Sequence, residues 1–271
     1  MLFRTSFAAI LAFLSALCLT ACGPAGINGP VDVPAGTTAE GATTINGPVN
    51  VGEGAKVGEA ATVNGGVRLG ANSTANSART VNGGIDVADG ARVTQNIEAV
   101  NGGIHLGKGV DVGGSVTNIN GGIRVDGAHV GNGISTFTGD IEIGHGSKVE
   151  GGIHVQKPDF GTDANRIPRV VIGAESVVQG TLKFDREVRL LVSDAAKIGA
   201  VEGATVQLFA GDDPAHIIEP AAADATGAEP GANPDDKQAA GAAQKPVDKP
   251  AAAAAAQKPA DKSGAGAAQK P

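Results

Sequence analysis

Between Ile27 and Val149 an aliphatic residue returns every sixth position, and another small or aliphatic residue stands four places later. Val51-Gly-Glu-Gly-Ala-Lys and Val57-Gly-Glu-Ala-Ala-Thr show the pattern plainly. Of 21 hexad starts in this span, only Ala39 and Ala75 are not Val, Ile, Leu or Phe. The register needs one extra residue after Ile97, one after Val116, and a five-plus-seven split around Val125 and Val130. These are the adjustments that corners absorb. A six-residue interval matches no 3.6-residue stripe, and 42 glycines together with the Val/Ile bias weigh heavily against helix. The pattern predicts short β-strands whose first and fifth hexad positions point inward, with Gly-rich corners between them.

Three hexads make a larger unit. The phrase Val-Asn-Gly-Gly-Ile and its close variants place Asn28, Asn46, Asn64, Asn82, Asn101 and Asn120 at intervals of 18, 18, 18, 19 and 19 residues, with Thr138 a further 18 on. A fixed period of this length marks a solenoid. The expected fold is all-β: a single-stranded β-solenoid with three short strands per coil of about 18 residues, each coil stacked about 4.8 Å above the last. Identical amides one coil apart should hydrogen-bond along the axis as an asparagine ladder, with Gly supplying the corner. Alternation from an inward Val100 places Asn101 outward.

The expected domains are a leader at 1–21, a tether at 22–26, the solenoid at 27–210 with an excursion at 156–168, and a tail at 220–271. The excursion carries Lys157, Asp159, Asp163 and Arg166 among Pro and Gly. Hexads resume at Ile172 and relax into period-two strands at Val188 to Val192 and Thr205 to Phe209, where Phe184 and Phe209 are expected to close the apolar core. From Pro220 the chain is mostly Ala, Pro, Lys, Gly and Asp, with nothing to bury, and should be disordered.

The first residues change the cellular picture. Arg4 precedes an apolar run from Phe7 to Leu19 that is too short to span a bilayer comfortably, as in a secretory leader. Leu19-Thr20-Ala21-Cys22 resembles the lipobox of bacterial lipoproteins. The resemblance implies cleavage before Cys22, lipidation of that residue, and attachment to a membrane. Gly23 stands where that family places Asp for inner-membrane retention, which implies the outer membrane. Of the two cysteines, Cys18 leaves with the leader, so the processed chain has neither a disulfide nor a Cys-based metal site.

Charge is unevenly spread. The formal net charge is −7, yet Lys237 to Pro271 holds six Lys against two Asp. The absence of Trp and Tyr removes the aromatic platforms that stack bases or sugars, and no strongly basic face invites nucleic acid. Hexapeptide solenoids include acyltransferases in which a His acts as general base, making His105, His129, His145 and His154 candidates. His105, however, shares its hexad place with Asp32, Asn50, Arg68, Asp86, Arg124 and Glu142. A column of alternating charge reads as an outward ladder of cross-coil pairs.

As a whole, the Val-Asn-Gly-Gly-Ile phrase resembles bacterial adhesin-type β-solenoid domains over residues 27–155. The hexad rhythm resembles bactofilins, whose family polymerises end to end; the lipobox departs from that family. These resemblances imply a non-catalytic envelope module with no cofactor. Its expected partners are a membrane, through the lipid anchor, and a cell-wall or envelope polymer or protein. Self-assembly into a scaffold is the nearest alternative, and a hexapeptide-type acyltransferase the remaining one.

Overall fold

The computed structural model describes residues 24–158 and 166–211 and the backbone of Ile217–Ile218. Residues 1–21, Cys22, positions 159–165 of the excursion and the tail at 220–271 lie outside the described residues. No helix among the described residues is long and apolar enough to cross a membrane.

The chain winds as a parallel β-solenoid of about ten coils. Each coil has three faces. Face one is a continuous sheet that starts at Val31–Val33, Val49–Val51, Val67–Leu69 and Ile85–Val87 and continues through Ile104–Leu106 to Val206–Phe209. Faces two and three run together as nine-residue strands in the first coils (Thr38–Asn46, Lys56–Asn64 and Thr74–Asn82). They separate from Arg92–Val93 and Ile97–Asn101 onward. Register is constant: Asn28 pairs with Asn46, Asn46 with Asn64, and Ile85 with Ile104. At about 4.8 Å per coil the stack is roughly 45 Å long.

Each coil sends three pairs of side chains inward. In the coil beginning at Ile104 these are Ile104 and Leu106, Val110 and Val112, and Val116 and Asn118, all buried. Full burial of each Val, Ile or Leu contributes roughly 1.5–3 kcal/mol. Many such residues form one continuous core that no isolated coil could make.

The hexad phase holds on faces one and two but slips by one residue on face three. Val100 does not point inward; Ala99 is buried at 3% exposure and Val100 is half-buried. Thr44, Thr62 and Thr80 likewise occupy the interior, with Ile45, Val63 and Val81 outside them. The cause is the sharp bend from face two to face three, after which alternation restarts at Ala42, Ala60 and Ala78. Asn101 is exposed, although by a different alternation from the one that starts at Val100.

The stack ends unevenly. Phe184 joins the central core, but Phe209 forms a separate buried cluster with Val171 and Leu191. Ile217–Ile218 adds to face one as its only antiparallel strand among the described residues, pairing with Leu208 and Phe209. At the other end, Ala25–Asn28 and Val31–Val33 have sheet neighbours on one side only.

The two glycines of the Asn-Gly-Gly corner differ physically. The first has φ +150° at Gly83 and +144° at Gly102, and a Cβ on Gly102 would lie 2.1 Å from Gly83 O. The second has no such φ, and a Cβ on Gly103 would lie no closer than 3.6 Å to any other atom. Gly102→Ala should therefore destabilise the solenoid by more than about 2 kcal/mol, whereas Gly103→Ala should stay within about 0.5 kcal/mol. Urea unfolding followed by circular dichroism measures both.

Candidate functional site

Stacking brings each residue against its counterpart one coil away, so surface chemistry is arranged in columns. The asparagine column is continuous. Nδ2 of Asn46 donates to Oδ1 of Asn28 at 2.9 Å, Asn64 to Asn46 at 2.8 Å, Asn82 to Asn64 at 2.9 Å, Asn101 to Asn82 at 3.0 Å and Asn120 to Asn101 at 3.0 Å. Thr138 ends the run by donating its hydroxyl to Asn120 Oδ1 at 2.7 Å. Every amide N–H₂ points toward the N-terminal end of the stack. These asparagines are exposed, and their amides are engaged mainly with one another.

A second ladder, inside the first, was visible in the sequence as threonine at 44, 62 and 80 but is masked by the aliphatic residue that follows each. The Oγ1 of these threonines donates to the carbonyls of Gly29, Gly47 and Gly65 at 3.2, 2.8 and 2.8 Å. Thus the carbonyl of the first corner glycine points into the core and is satisfied there, as a buried backbone acceptor must be. Asn118 takes over with Nδ2 bonded to Gly102 O at 2.7 Å and Gly121 O at 3.0 Å, leaving its buried Oδ1 without a partner among the described residues. Ala99, between Thr80 and Asn118, provides no hydroxyl at all.

The charged column on face one is in the predicted register: Asp32, Asn50, Arg68, Asp86, His105, Arg124 and Glu142 stand on successive coils. Arg124 Nη2 reaches Glu142 Oε2 at 2.7 Å, and His105 Nε2 lies 3.0 Å from Asp126 Oδ2. The other candidate bases are also tied between coils. His129 sits between Asp111 at 2.7 Å and Glu150 at 3.2 Å, His145 faces Glu175 at 3.3 Å, and His154 faces Asp185 at 2.7 Å. Among the described residues no group of three or more His, Cys, Asp or Glu side chains could hold a metal ion.

An open groove of about 600 Å³ runs along face one across five coils. One side is the column Gly84, Gly103, Gly122, Asp140 and Arg169; the other is Asp86, His105, Arg124, Glu142 and Val171. The excursion leaves and rejoins the stack beside it, at the corner where other coils carry Asn-Gly-Gly. Arg166 anchors the return: its Nη2 bonds Asp140 Oδ2 at 2.6 Å and its Nη1 bonds Thr138 O at 3.1 Å, while Arg169 N–H donates to Asp140 Oδ1 at 2.9 Å. Arg186 Nη1 adds a bond to Phe137 O at 3.1 Å.

Comparison with family models, curated proteins and solved structures returns no match for this chain.

Two outcomes follow from the ladders. Ala99→Thr should restore the missing interior hydroxyl beneath Gly83 and raise stability by about 0.5–1.5 kcal/mol, read as a higher urea midpoint with an unchanged slope. Glu150 is held below its ordinary range first by the Lys148 ammonium and then by His129. A carboxylate with a depressed folded-state pKa contributes stability above its unfolded value of 4.5 and loses it as pH falls through the folded value. Glu150→Gln should therefore flatten the stability profile below about pH 4.5 and leave its shape near neutrality unchanged, as thermal melts across that range would report.

Proposed function

We propose that this chain is a non-catalytic structural and adhesive module of the bacterial cell envelope, held at the outer membrane by a lipid on Cys22 and presenting a repetitive solenoid face to an envelope partner. The observation that carries this reading is how the outward side chains are used. Each histidine among the described residues lies within 3.3 Å of a carboxylate from a neighbouring coil. These pairs lie one by one along the stack and join neighbouring coils, and among the described residues they gather into no group that could hold a metal ion, so a regular surface is what the stack has to offer. The resemblances to lipoprotein leaders and to adhesin-type domains agree with it.

The position of Cys22 supports the anchoring. Only Gly23 and Pro24 separate it from the first strand at Ala25, so a lipid there would hold the N-terminal end of the stack close to the bilayer. The bactofilin-like alternative, growth by end-to-end stacking, has one observation in its favour: the open edges at Ala25–Asn28 and Val31–Val33. Against it, the antiparallel strand at Ile217–Ile218 covers the opposite edge of face one, so a further parallel coil could not add there.

Cys22→Ala should move the protein from the membrane fraction to the soluble fraction and abolish labelling by a fatty-acid probe. Unchanged fractionation and labelling would refute the anchor. In sedimentation the soluble domain should run as a monomer at all concentrations. Concentration-dependent filaments would select the scaffold, and a stable trimer binding an acyl donor would select the acyltransferase.

A further inference from the structure

The groove on face one has a floor that the fold does not require. Gly84, Gly103 and Gly122 lack the positive φ of the glycines before them, Gly66 has none either, and a Cβ at Gly66, Gly84, Gly103 and Gly122 would meet its nearest neighbour at 3.2, 3.2, 3.6 and 3.7 Å. Asp140 and Arg169 occupy the same column with full side chains. At Gly103 and Gly122 glycine is therefore there for another reason than backbone strain or space, and at Gly66 and Gly84 a methyl would ask the facing carbonyl to give by only a few tenths of an ångström.

What glycine leaves bare is a row of amide donors. Buried donors hold the carbonyls of Gly65, Gly102 and Gly121 inward. In a trans peptide the N–H points opposite to the C=O. The amides of Gly103 and Gly122 consequently face the groove, that of Gly66 faces the same way one coil before its lined end, and together with that of Gly84 they donate to no backbone acceptor among the described residues. The chain itself supports this assignment, because Pro30 and Pro48, which have no N–H, fill the same position in the first two coils without disturbing the ladder. The donors recur at the coil spacing of about 4.8 Å.

The C-terminal end of the row carries positive charge. Arg169 and Arg189 stand directly opposite each other on adjacent strands, both exposed. Like charges in that relation destabilise a sheet, and neither guanidinium makes an ion pair among the described residues. Beside the row stand Asp86, His105, Arg124 and Glu142 in that order, two donors flanked by an acceptor on either side, with Arg124 paired to Glu142.

We propose that this groove, prolonged by Arg189 one coil beyond its lined end, binds an extended acidic polysaccharide lying along the solenoid axis, with carboxylates on Arg169 and Arg189 and ring and hydroxyl oxygens on the glycine amides. A linear chain suits a donor row of constant pitch. A hydroxyl-bearing polymer can donate to Asp86 and Glu142 while its carboxylates meet the arginines, whereas a polyphosphate has no hydroxyl to offer those acceptors. Nucleic acid would also lack aromatic platforms in a chain without Trp or Tyr. This inference rests on the adhesive reading and names the chemistry of its partner.

The test is titration of the full-length chain with oligogalacturonate as the uronate probe, dextran as the neutral glycan and a DNA oligonucleotide as the non-glycan polyanion. Two double variants report independently: Gly103→Pro with Gly122→Pro, which removes two donors as Pro30 and Pro48 do, and Arg169→Gln with Arg189→Gln, which leaves the backbone untouched. Each should bind oligogalacturonate about tenfold or more weakly, with its thermal melt by circular dichroism within a few degrees of the parent. The lysine-rich tail is common to all of them and cannot produce the difference. No binding of oligogalacturonate by the parent chain overturns the proposal. So does binding that the arginine variant leaves unchanged, or DNA binding as tight as that of oligogalacturonate. Those outcomes leave the envelope-module reading standing, because it is judged by fractionation and sedimentation.

Discussion

Axial stacking at constant register is the constraint on which the rest depends. With parallel coils a residue faces its counterpart 18 or 19 positions away through the regular part of the stack, so a single choice of residue is repeated as a column and its consequences add. A column of identical charges would be repulsive at every step. Two solutions are used here: neutral amides that donate and accept along the axis, as from Asn28 to Asn120, and an acidic residue set between basic ones, as Asp111 between Arg92 and His129 on face two. Exposed pairs of this kind are individually worth little. Their role is to permit the stack, whose stability comes from the Val and Ile columns within.

The interior obeys the same rule with less tolerance. A corner must turn a peptide carbonyl inward, and an unsatisfied carbonyl in the core costs about 1–3 kcal/mol. Threonine at 44, 62 and 80 meets that need while filling little space. Asn118 meets it with an amide that reaches both Gly102 and Gly121, but leaves its own oxygen buried and unpaired. The first corner glycine follows from the same packing, since the carbonyl stacked beneath it occupies the place of a Cβ. The threonine, the exposed asparagine and that glycine are therefore one device seen from three sides.

Much of this was legible because a ladder interaction acts between equal positions at equal spacing, which is what a period records. The 18-residue recurrence gave the three faces, the stacking and the membership of the charged column from Asp32 to Glu142. The phase of face three was not legible. Val63, Val81 and Val100 look like core residues, while the residues that enter the core are Thr62, Thr80 and Ala99. Hydrophobicity points the wrong way there because the sharp bend leaves little room and the corner carbonyl needs a donor. Nor could the period reveal the groove, which depends on the direction of a peptide plane and on Arg169, or the position of Arg189 one coil beyond it, since corners of irregular length separate the two.

Column logic also explains why the groove sits where it does. In the first two coils its position is filled by Pro30 and Pro48, which present no donor. In the next four it is bare glycine, and beyond them it is Asp140, Arg169 and Arg189. A position without a positive φ and with at most a few tenths of an ångström of steric demand could hold many residues, and surface positions in a repeat usually drift. Four successive glycines bounded by proline on one side and by charge on the other form a segment with a start and an end. Structural need explains the first glycine of each corner; the second is explained by what lies in front of it.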